Sequence, residues 1–263
     1  MTTTTETPQA SDVLLTEVRE HVLILTLNRP RAKNAFNDAL SRALSDALDR
    51  FEQDPELRVG ILTGAGGSFS AGMDLKALLA GEQSSTKERG GFGIMKRPPD
   101  KPLIAAIEGH AVAGGLELAL CCDLIVAAQD SKLGLPEVKR GLVAVGGALF
   151  RLPKRIPYHI VMELALTGDS HSAERFRELG LVNRVVPSGQ ALEAAVAWAN
   201  VIAQNAPLSL AATKQILVKS WEWTEEQAWP EHRKLANKAL RSKDATEGAR
   251  AFAEKRPPVW RGE

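Results

Sequence analysis

Short apolar runs recur along the first two thirds of the chain, and they constrain the fold more than any other feature. Runs of this length that stay apolar throughout are typical of strands buried on both faces, as in parallel sheets. Helix-like stretches separate them, and this alternation predicts an α/β architecture. The runs are VLILTL at 22–27, VGILT at 59–63, PLIAAIEG at 102–109, DLIVAA at 123–128 and LVNRVV at 181–186.

The stretch between the first two runs carries apolar residues at helical spacing. Asn37 stands where a side chain would cap the first turn, so we predict a helix that covers the sheet. Its apolar positions are Leu40, Ala43, Leu44, Ala47, Leu48 and Phe51. Residues 80–101 show no clear period, which predicts a mobile connection that forms a pocket wall.

Strand patterns stop after about residue 187, and the rest of the chain is predicted to be helical. The predicted helices cover 188–204, 207–220, 224–241 and 244–254. Asp244 and Glu247 stand as in a capping box at the start of the last one. All five tryptophans lie in this part, where packing in a core or at a subunit contact explains them.

The chain is therefore expected to have three parts. They are a flexible N-terminal tail at 1–11, an α/β core at 12–204 and a helical C-terminal region at 205–263. Neither the N-terminal residues nor any apolar run has the design of a signal peptide or of a membrane helix, which needs about 18 apolar residues. We expect neither export nor a membrane partner.

Charge and cysteine usage narrow the class of protein further. Lys and Arg number 33 against 32 Asp and Glu, and no basic run follows a phosphate backbone, so nucleic acid is not an expected partner. Cys121 and Cys122 are adjacent inside an apolar run, which favours reduced core thiols over a disulfide or a metal site. A cytoplasmic location fits these thiols.

Several common catalytic motifs are absent from the sequence. The glycine-rich stretch TGAGGSFSAGMDL at 63–75 has Phe69 where a dinucleotide-binding loop needs its third glycine. There is no G-x-S-x-G elbow and no H-E-x-x-H pair, so serine-hydrolase and zinc-hydrolase chemistry lack their usual marks.

Two turns rich in small residues are candidates for binding an anionic oxygen. They lie at Ser70–Asp74 and Ala113–Gly115, each just before a predicted helix, and their N–H groups could point toward a ligand. From the placement of the glycines alone, ordinary strand-to-helix turns are the better explanation. Glu117 follows the second turn inside an apolar run, where a carboxylate is costly unless something pairs with it or uses it.

Several separated motifs, in order along nearly the whole chain, resemble the crotonase (enoyl-CoA hydratase and isomerase) family. They are NRPRAKNAFN at 28–37, FSAGMDL at 69–75, GHAVAGGLELALCCD at 109–123, LPEVKRGL at 135–142, LTGDSHSAERFRELGLVNRVVP at 166–187 and AFAEKRPP at 251–258. The resemblance implies a ClpP-like, right-handed spiral of ββα units. It also implies a helical C-terminal region that drives assembly into a homotrimer or a hexamer, as a dimer of trimers.

The resemblance implies functional residues position by position. Glu117 and Glu137 match the two catalytic glutamates, and the backbone N–H groups of Met73 and Gly114 match the oxyanion hole for a thioester oxygen. The matches to coenzyme A contacts are Arg31, Ala32, Lys33, Ala71 and Lys76, with Phe252 and Lys255 reaching the coenzyme A of a neighbouring subunit. Two positions depart from the family: Gly67 replaces a nucleotide-contacting lysine, and Val145 replaces a glycine whose N–H helps hold the catalytic water.

The implied activity is enoyl-CoA hydration, in fatty-acid metabolism. Water adds syn to a trans-2-enoyl-CoA to give a 3-hydroxyacyl-CoA, with no metal or redox cofactor and with coenzyme A only as part of the substrate. Glu137 would deliver the proton to C2 and Glu117 would activate the water. The alternatives are a carnitinyl-CoA dehydratase, an enoyl-CoA isomerase, which needs one placed carboxylate, and a non-catalytic or RNA-binding homologue, which the acidic early helix disfavours.

Overall fold

A mixed six-stranded sheet forms the centre of the protein, a computed structural model that describes residues 13–263. The predicted tail at 1–11 lies outside these residues. The strands of the sheet are β1 (Leu14–Arg19), β2 (Val22–Leu27), β3 (Val59–Gly64), β6 (Leu103–Ile107), β8 (Leu124–Ala128) and β11 (Arg184–Val186). They are arranged in the order β1-β2-β3-β6-β8-β11, in which β1 pairs antiparallel to β2 and every other pair is parallel.

The five apolar runs are all strands of this sheet, as predicted. The last run forms a shorter strand than expected, because Leu181 and Val182 pack into the core and the Asn183 side chain accepts a hydrogen bond from the Ile125 N–H at 2.8 Å. Two small sheets lie outside the central one. They are formed by β7 (His110–Val112), β9 (Lys132–Gly134) and β10 (Ser170–Ser172), and by β4 (Ser85–Thr86) and β5 (Gly90–Gly91).

The central sheet lies between two apolar cores because side chains alternate along each strand. In β2, Leu23 and Leu25 face the larger core, whereas Val22 and Ile24 face the smaller one. The larger core packs against α1 (Asp38–Gln53) and α3 (Gly114–Ala119), and the smaller core packs against α7 (Ala191–Ala203). The candidate site lies on the side of the larger core.

The predicted early helix is α1, and Asn37 caps it as expected. The Asn37 side chain accepts a hydrogen bond from the Leu40 N–H at 3.1 Å. The predicted apolar face is buried, except that Ala43 is only partly so.

The segment expected to be a mobile connection is instead anchored to α1. The Arg89 side chain is fully buried, and its guanidinium donates to Asp49 at 2.6 and 2.9 Å and to Glu52. It also donates to the Arg97 carbonyl at 2.8 Å. Absence of periodicity could not reveal this anchor, because it joins residues about 40 positions apart in sequence.

Of the remaining helices, those that precede α7 in the chain are short and those that follow it are longer. They are α2 (Leu75–Leu79), α4 (Ala148–Arg151), α5 (Tyr158–Thr167), α6 (Ala173–Glu178), α8 (Pro207–Lys219), α9 (Glu225–Leu240) and α10 (Lys243–Glu254). Helices α7 to α10 confirm the four helices predicted for the C-terminal part.

The predicted capping box at Asp244 and Glu247 is wrong. Ser242 caps α10 by accepting from the Ala245 N–H at 3.0 Å, so Asp244 lies inside the first turn. The Asp244 carboxylate instead accepts from the backbone of the last residues, and Glu247 pairs with Arg256. A capping box does occur one helix earlier, between Thr224 and Gln227. Within residues 13–263, no helix has both the length and the apolar character needed to cross a membrane.

Candidate active site

The first glycine-rich turn leaves the Met73 N–H without a partner among the residues that the structure describes. Phe36 pairs with this turn as in a parallel bridge: its N–H donates to the Gly72 carbonyl at 2.7 Å, and its carbonyl accepts from the Asp74 N–H at 2.9 Å. In such a bridge the residue between the two bonds points its own N–H away. The Met73 N–H accordingly makes no hydrogen bond within residues 13–263.

The second turn aims the Gly114 N–H by a strained backbone. Ala113 has φ 53° and ψ −130°, a conformation that a residue with a side chain rarely adopts. Gly114 is the first residue of α3, and the first N–H groups of a helix have no intrahelical acceptor. No described residue accepts from the Gly114 N–H.

The two turns are in direct contact. A Cβ added to Gly72 would lie 2.7 Å from the Gly114 nitrogen, and a Cβ added to Gly114 would lie 2.7 Å from the Phe92 ring. Only glycine allows this approach at either position. The two unpartnered N–H groups of Met73 and Gly114 therefore belong to adjacent turns, as an oxyanion hole requires.

Glu117 lies one helical turn after Gly114 on α3 and is only 4% exposed. Its carboxylate accepts a hydrogen bond from the Ala148 N–H at 3.1 Å. Burial raises the pKa of Glu117, while the N–H groups of Ala148 and Gly146 and the charge of Arg151 act to lower it. The carboxylate is thus buried but not isolated.

Glu137 is the second buried carboxyl of this site, and one of its oxygens has no hydrogen-bond partner among the described residues. It lies in a short 3-10 helix, Pro136–Arg140, and is 9% exposed. Its Oε2 atom is buried and accepts no hydrogen bond from the described residues. Burial raises the pKa of Glu137, its own N–H lowers it, and the nearby charge of Glu117 raises it further. Two carboxyls that repel in this way favour a state in which one holds a proton.

Together these groups could serve one reaction. Two N–H donors in adjacent turns can bind a thioester oxygen that becomes negative, and two neighbouring carboxyls can move protons to and from a water. Gly114 and Glu117 belong to the same short helix and lie one helical turn apart.

The residues predicted to contact coenzyme A fall into two groups. The first surrounds the Met73 turn: the Lys33 carbonyl accepts from the Ala71 N–H at 2.9 Å, and Arg31, Lys33 and Lys76 are exposed. Ala32 ends the 3-10 helix Pro30–Ala32 beside them. The second group, Phe252 and Lys255, lies at the end of α10, and Phe252 is 88% exposed.

The second group, Phe252 and Lys255, does not contact the candidate site of its own chain. Within the described chain, neither Phe252 nor Lys255 makes a side-chain hydrogen bond, an ion pair or a ring contact with the turns or the glutamates.

Both departures from the family pattern lie on the surface. Gly67 has φ +71° and no described atom within 4 Å of an added Cβ, and Val145 is 81% exposed. The chain next to Val145 nonetheless contacts the site, since a Cβ on Gly146 would lie 2.6 Å from the Glu117 carboxylate.

Sequence reasoning missed four residues around the glutamates. Ala148 donates to Glu117, Arg151 holds the turn before it, and Phe92 and Met95 pack against Gly114 and Gly146. The Gly146–Gly147 pair was a signal that the backbone approaches something closely here. Nothing in the pattern of residues 80–101 indicated Phe92 or Met95.

Comparisons with known proteins show the family to which the chain belongs. The family model described as enoyl-CoA hydratase/isomerase matches residues 17–263. Enoyl-CoA hydratase EchA19 of Mycobacterium tuberculosis is 41% identical over 93% of this chain and 94% of its own length. The carnitinyl-CoA dehydratase of Salmonella typhi is 44% identical over 92% of this chain and 95% of its own.

A solved structure of a protein with a similar name has a similar fold. The enoyl-CoA hydratase EchA1 of Mycobacterium marinum superimposes with a TM-score of 0.94 at 58% identity, covering 96% of this chain and all of that one. The chain belongs to the enoyl-CoA hydratase/isomerase family and has the crotonase fold. It is an enzyme of the hydratase and dehydratase type.

Proposed function

We propose that this protein is an enoyl-CoA hydratase, a lyase that adds water syn to a trans-2-enoyl-CoA to give a 3-hydroxyacyl-CoA. The observation that supports this most is the pairing of two buried carboxyls, one of them with a free oxygen, beside two unpartnered N–H groups. Conjugate addition of water needs both kinds of group, because negative charge develops on the thioester oxygen while protons move at C2 and C3.

Each group has a role in the proposed reaction. The N–H groups of Met73 and Gly114 hold the thioester oxygen, and one water lies between the two carboxyls. Glu117 accepts a proton from this water as its oxygen bonds to C3, and protonated Glu137 gives its proton to C2. The proton on Glu117 then returns to Glu137 through the next water, so the cycle closes without a metal or a redox cofactor.

Coenzyme A enters as part of the substrate. We assign its contacts to Arg31, Ala32, Lys33, Ala71 and Lys76, which lie around the Met73 turn with exposed cationic side chains. Phosphate groups favour such cations. Phe252 and Lys255 would reach the coenzyme A of a neighbouring subunit, since they do not reach the site of their own chain.

We propose that the chain assembles as a homotrimer or as a dimer of trimers. The support is a set of large apolar side chains that stay exposed on and after α8, more than an isolated surface normally shows. They are Leu217, Val218, Trp221, Trp229, Leu240 and Phe252, each at least 59% exposed.

We also propose a cytoplasmic location. Cys121 and Cys122 are free, buried thiols, and such thiols are typical of proteins in a reducing compartment.

A carnitinyl-CoA dehydratase is the second candidate, and the 44% identical relative supports it. That chemistry is the same hydration run in reverse on a substrate with a quaternary ammonium group. Such a cation needs a carboxylate or an open aromatic face. Phe92 and Met95, which pack near Glu117, are buried, and the Phe92 ring stacks on Phe36 at 4.3 Å, so neither offers an open aromatic face to such a cation.

The deciding experiment is a substrate panel assayed by loss of the enoyl-thioester absorbance. It contains straight and branched enoyl-CoAs of increasing length together with crotonobetainyl-CoA. Faster hydration of an uncharged enoyl-CoA supports the hydratase, and faster hydration of crotonobetainyl-CoA supports the dehydratase. Double-bond migration without hydration would support an isomerase, and no reaction with any member would contradict a catalytic role.

A further inference from the structure

One guanidinium, that of Arg151, joins three segments that are far apart in sequence. Its Nη1 donates to the Gly146 carbonyl at 3.0 Å, and its Nη2 donates to the Met95 carbonyl at 2.6 Å. Nη1 also lies 3.6 Å from the sulfur of Cys121, two residues after the end of α3. Arg151 is the last residue of α4, the short helix that begins directly after the glycine pair Gly146–Gly147.

All three segments meet at Glu117. The turn at 146–148 supplies the Ala148 N–H that binds the Glu117 carboxylate. The Met95 side chain and the Glu117 Oε2 both lie against the position that a Cβ on Gly146 would occupy. Cys121 follows Glu117 by one helical turn, and its thiol donates to the Glu117 carbonyl at 3.4 Å.

We propose that Arg151 is a positioning residue for catalysis: it fixes the 146–148 turn against the end of α3 and so keeps the Glu117 carboxylate hydrogen-bonded and in place to accept the proton of water. The inference rests on the proposed hydratase function and names the residue that prepares its base. Arg151 does not touch substrate in this account. A planar guanidinium suits the task because its two Nη atoms donate to the two carbonyls from a rigid fork, whereas a lysine ammonium is a single nitrogen on a flexible stem.

The charge of Arg151 affects the pKa of Glu117 more than the pKa of Glu137. Its charge lowers the pKa of Glu117 against the effect of burial, whereas the charge acting on Glu137 is the repulsion from Glu117, which raises the pKa. Cys121 also faces this group, and burial raises the pKa of its thiol to about 11, so the thiol stays neutral. Arg151 thereby favours ionised Glu117 beside protonated Glu137.

Arg155 provides a matched control. It belongs to the same short stretch as Arg151 and donates to the Leu120 carbonyl at 2.9 Å, but it makes no hydrogen bond to the 146–148 turn or to Glu117 in the described chain. A loss of activity caused only by removing a buried hydrogen bond near α3 would affect both arginines.

The experiment compares Arg151→Gln, Arg151→Lys and Arg155→Gln on a good enoyl-CoA substrate over a range of pH. We expect Arg151→Gln to lower kcat by about 10- to 100-fold, the usual effect of displacing a catalytic group by about 1 Å, with little change in KM. The acidic limb of its pH profile should move to higher pH, because Glu117 loses the cation that lowers its pKa. In Arg151→Lys the acidic limb should return to its wild-type pH, but only part of kcat should be recovered. Arg155→Gln should change neither the position of the limb nor kcat.

Two outcomes would overturn the proposal. One is that Arg151→Gln has the kcat and pH profile of Arg155→Gln. The other is a crystal structure of Arg151→Gln in which the Ala148 N–H still binds Glu117 at its present distance, a test that needs no turnover. If Arg151→Gln does not fold, Arg151→Lys decides, since unchanged kcat in that variant contradicts the need for two carbonyl contacts. Turnover by the wild type reports separately on the hydratase function.

Discussion

Gly72 and Gly114 lie so close together that a Cβ on Gly72 would sit 2.7 Å from the Gly114 nitrogen. This contact brings together a turn that follows β3 and a turn that follows β7, which are about 40 residues apart in sequence. The relative position of the two unpartnered N–H groups therefore depends on both residues having no side chain.

Gly72→Ala should disable the reaction without unfolding the chain. Its Cβ would push against the Gly114 backbone and misplace an oxyanion donor, which costs about 10²- to 10³-fold in kcat in comparable sites. Gly67→Ala is the control, because Gly67 also has a positive φ but an added Cβ meets no described atom within 4 Å. Steady-state kinetics on an enoyl-CoA measure both. Equal losses in the two variants would show that backbone strain alone matters.

The rate should depend on pH in a bell-shaped way. Protonation of Glu117 removes the base as pH falls, and loss of the Glu137 proton removes the acid as pH rises. Burial raises the pKa of both glutamates, so both limbs should lie at higher pH than for exposed glutamates. Measurement of kcat/KM from pH 5 to about 10 tests this. A profile without an acidic limb would contradict an ionised glutamate as base.

Arg89→Gln should destabilise the protein strongly. It would leave Asp49 and Glu52 without the buried guanidinium, and we expect a loss of about 2 to 4 kcal/mol, less than for a fully buried pair because Asp49 is partly exposed. Arg97→Gln is the control, since Arg97 contacts the same two carboxylates from a half-exposed position and should cost less than about 1 kcal/mol. Urea unfolding measures both free energies. Equal costs would mean that Arg89 is not the anchor of the 80–101 segment.

Lys255→Ala should raise KM for the acyl-CoA with a smaller change in kcat. This pattern is expected when a contact that binds substrate and transition state equally is removed. Lys243→Ala, at the opposite end of α10, is the control. Analytical ultracentrifugation gives the oligomeric state alongside. A fully active monomer would contradict both the assembly and the role of Lys255.

The sequence predicted the elements that rest on local patterns. Apolar runs identified the central strands, and the position of Asn37 identified the start of α1, because both depend on neighbouring residues. The cap of α10 was misplaced by two residues, since Ser242 and Asp244 are both good capping residues and only the backbone shows which one does it.

The site was only partly predictable for a physical reason. Glu117 stood out as a carboxylate in an apolar run, and the resemblance added Glu137, Met73 and Gly114. The contacts of Arg89 with Asp49, and of Arg151 with Cys121 and Met95, join residues 30 to 56 positions apart, and no local pattern encodes them. Their side chains look like ordinary surface arginines until the chain is folded.

The central claim is that Glu117 and Glu137 act together as base and acid in hydration. The most direct test is hydration of an enoyl-CoA by Glu117→Gln, Glu137→Gln and the double variant. Each single change should lower kcat by at least about 10²- to 10⁴-fold, while acyl-CoA binding survives because glutamine keeps the volume. The double variant should lose much less than the product of the two losses, because both residues act on one water. Unchanged hydration in Glu117→Gln, with double-bond migration abolished in Glu137→Gln, would contradict the hydratase account and support an isomerase.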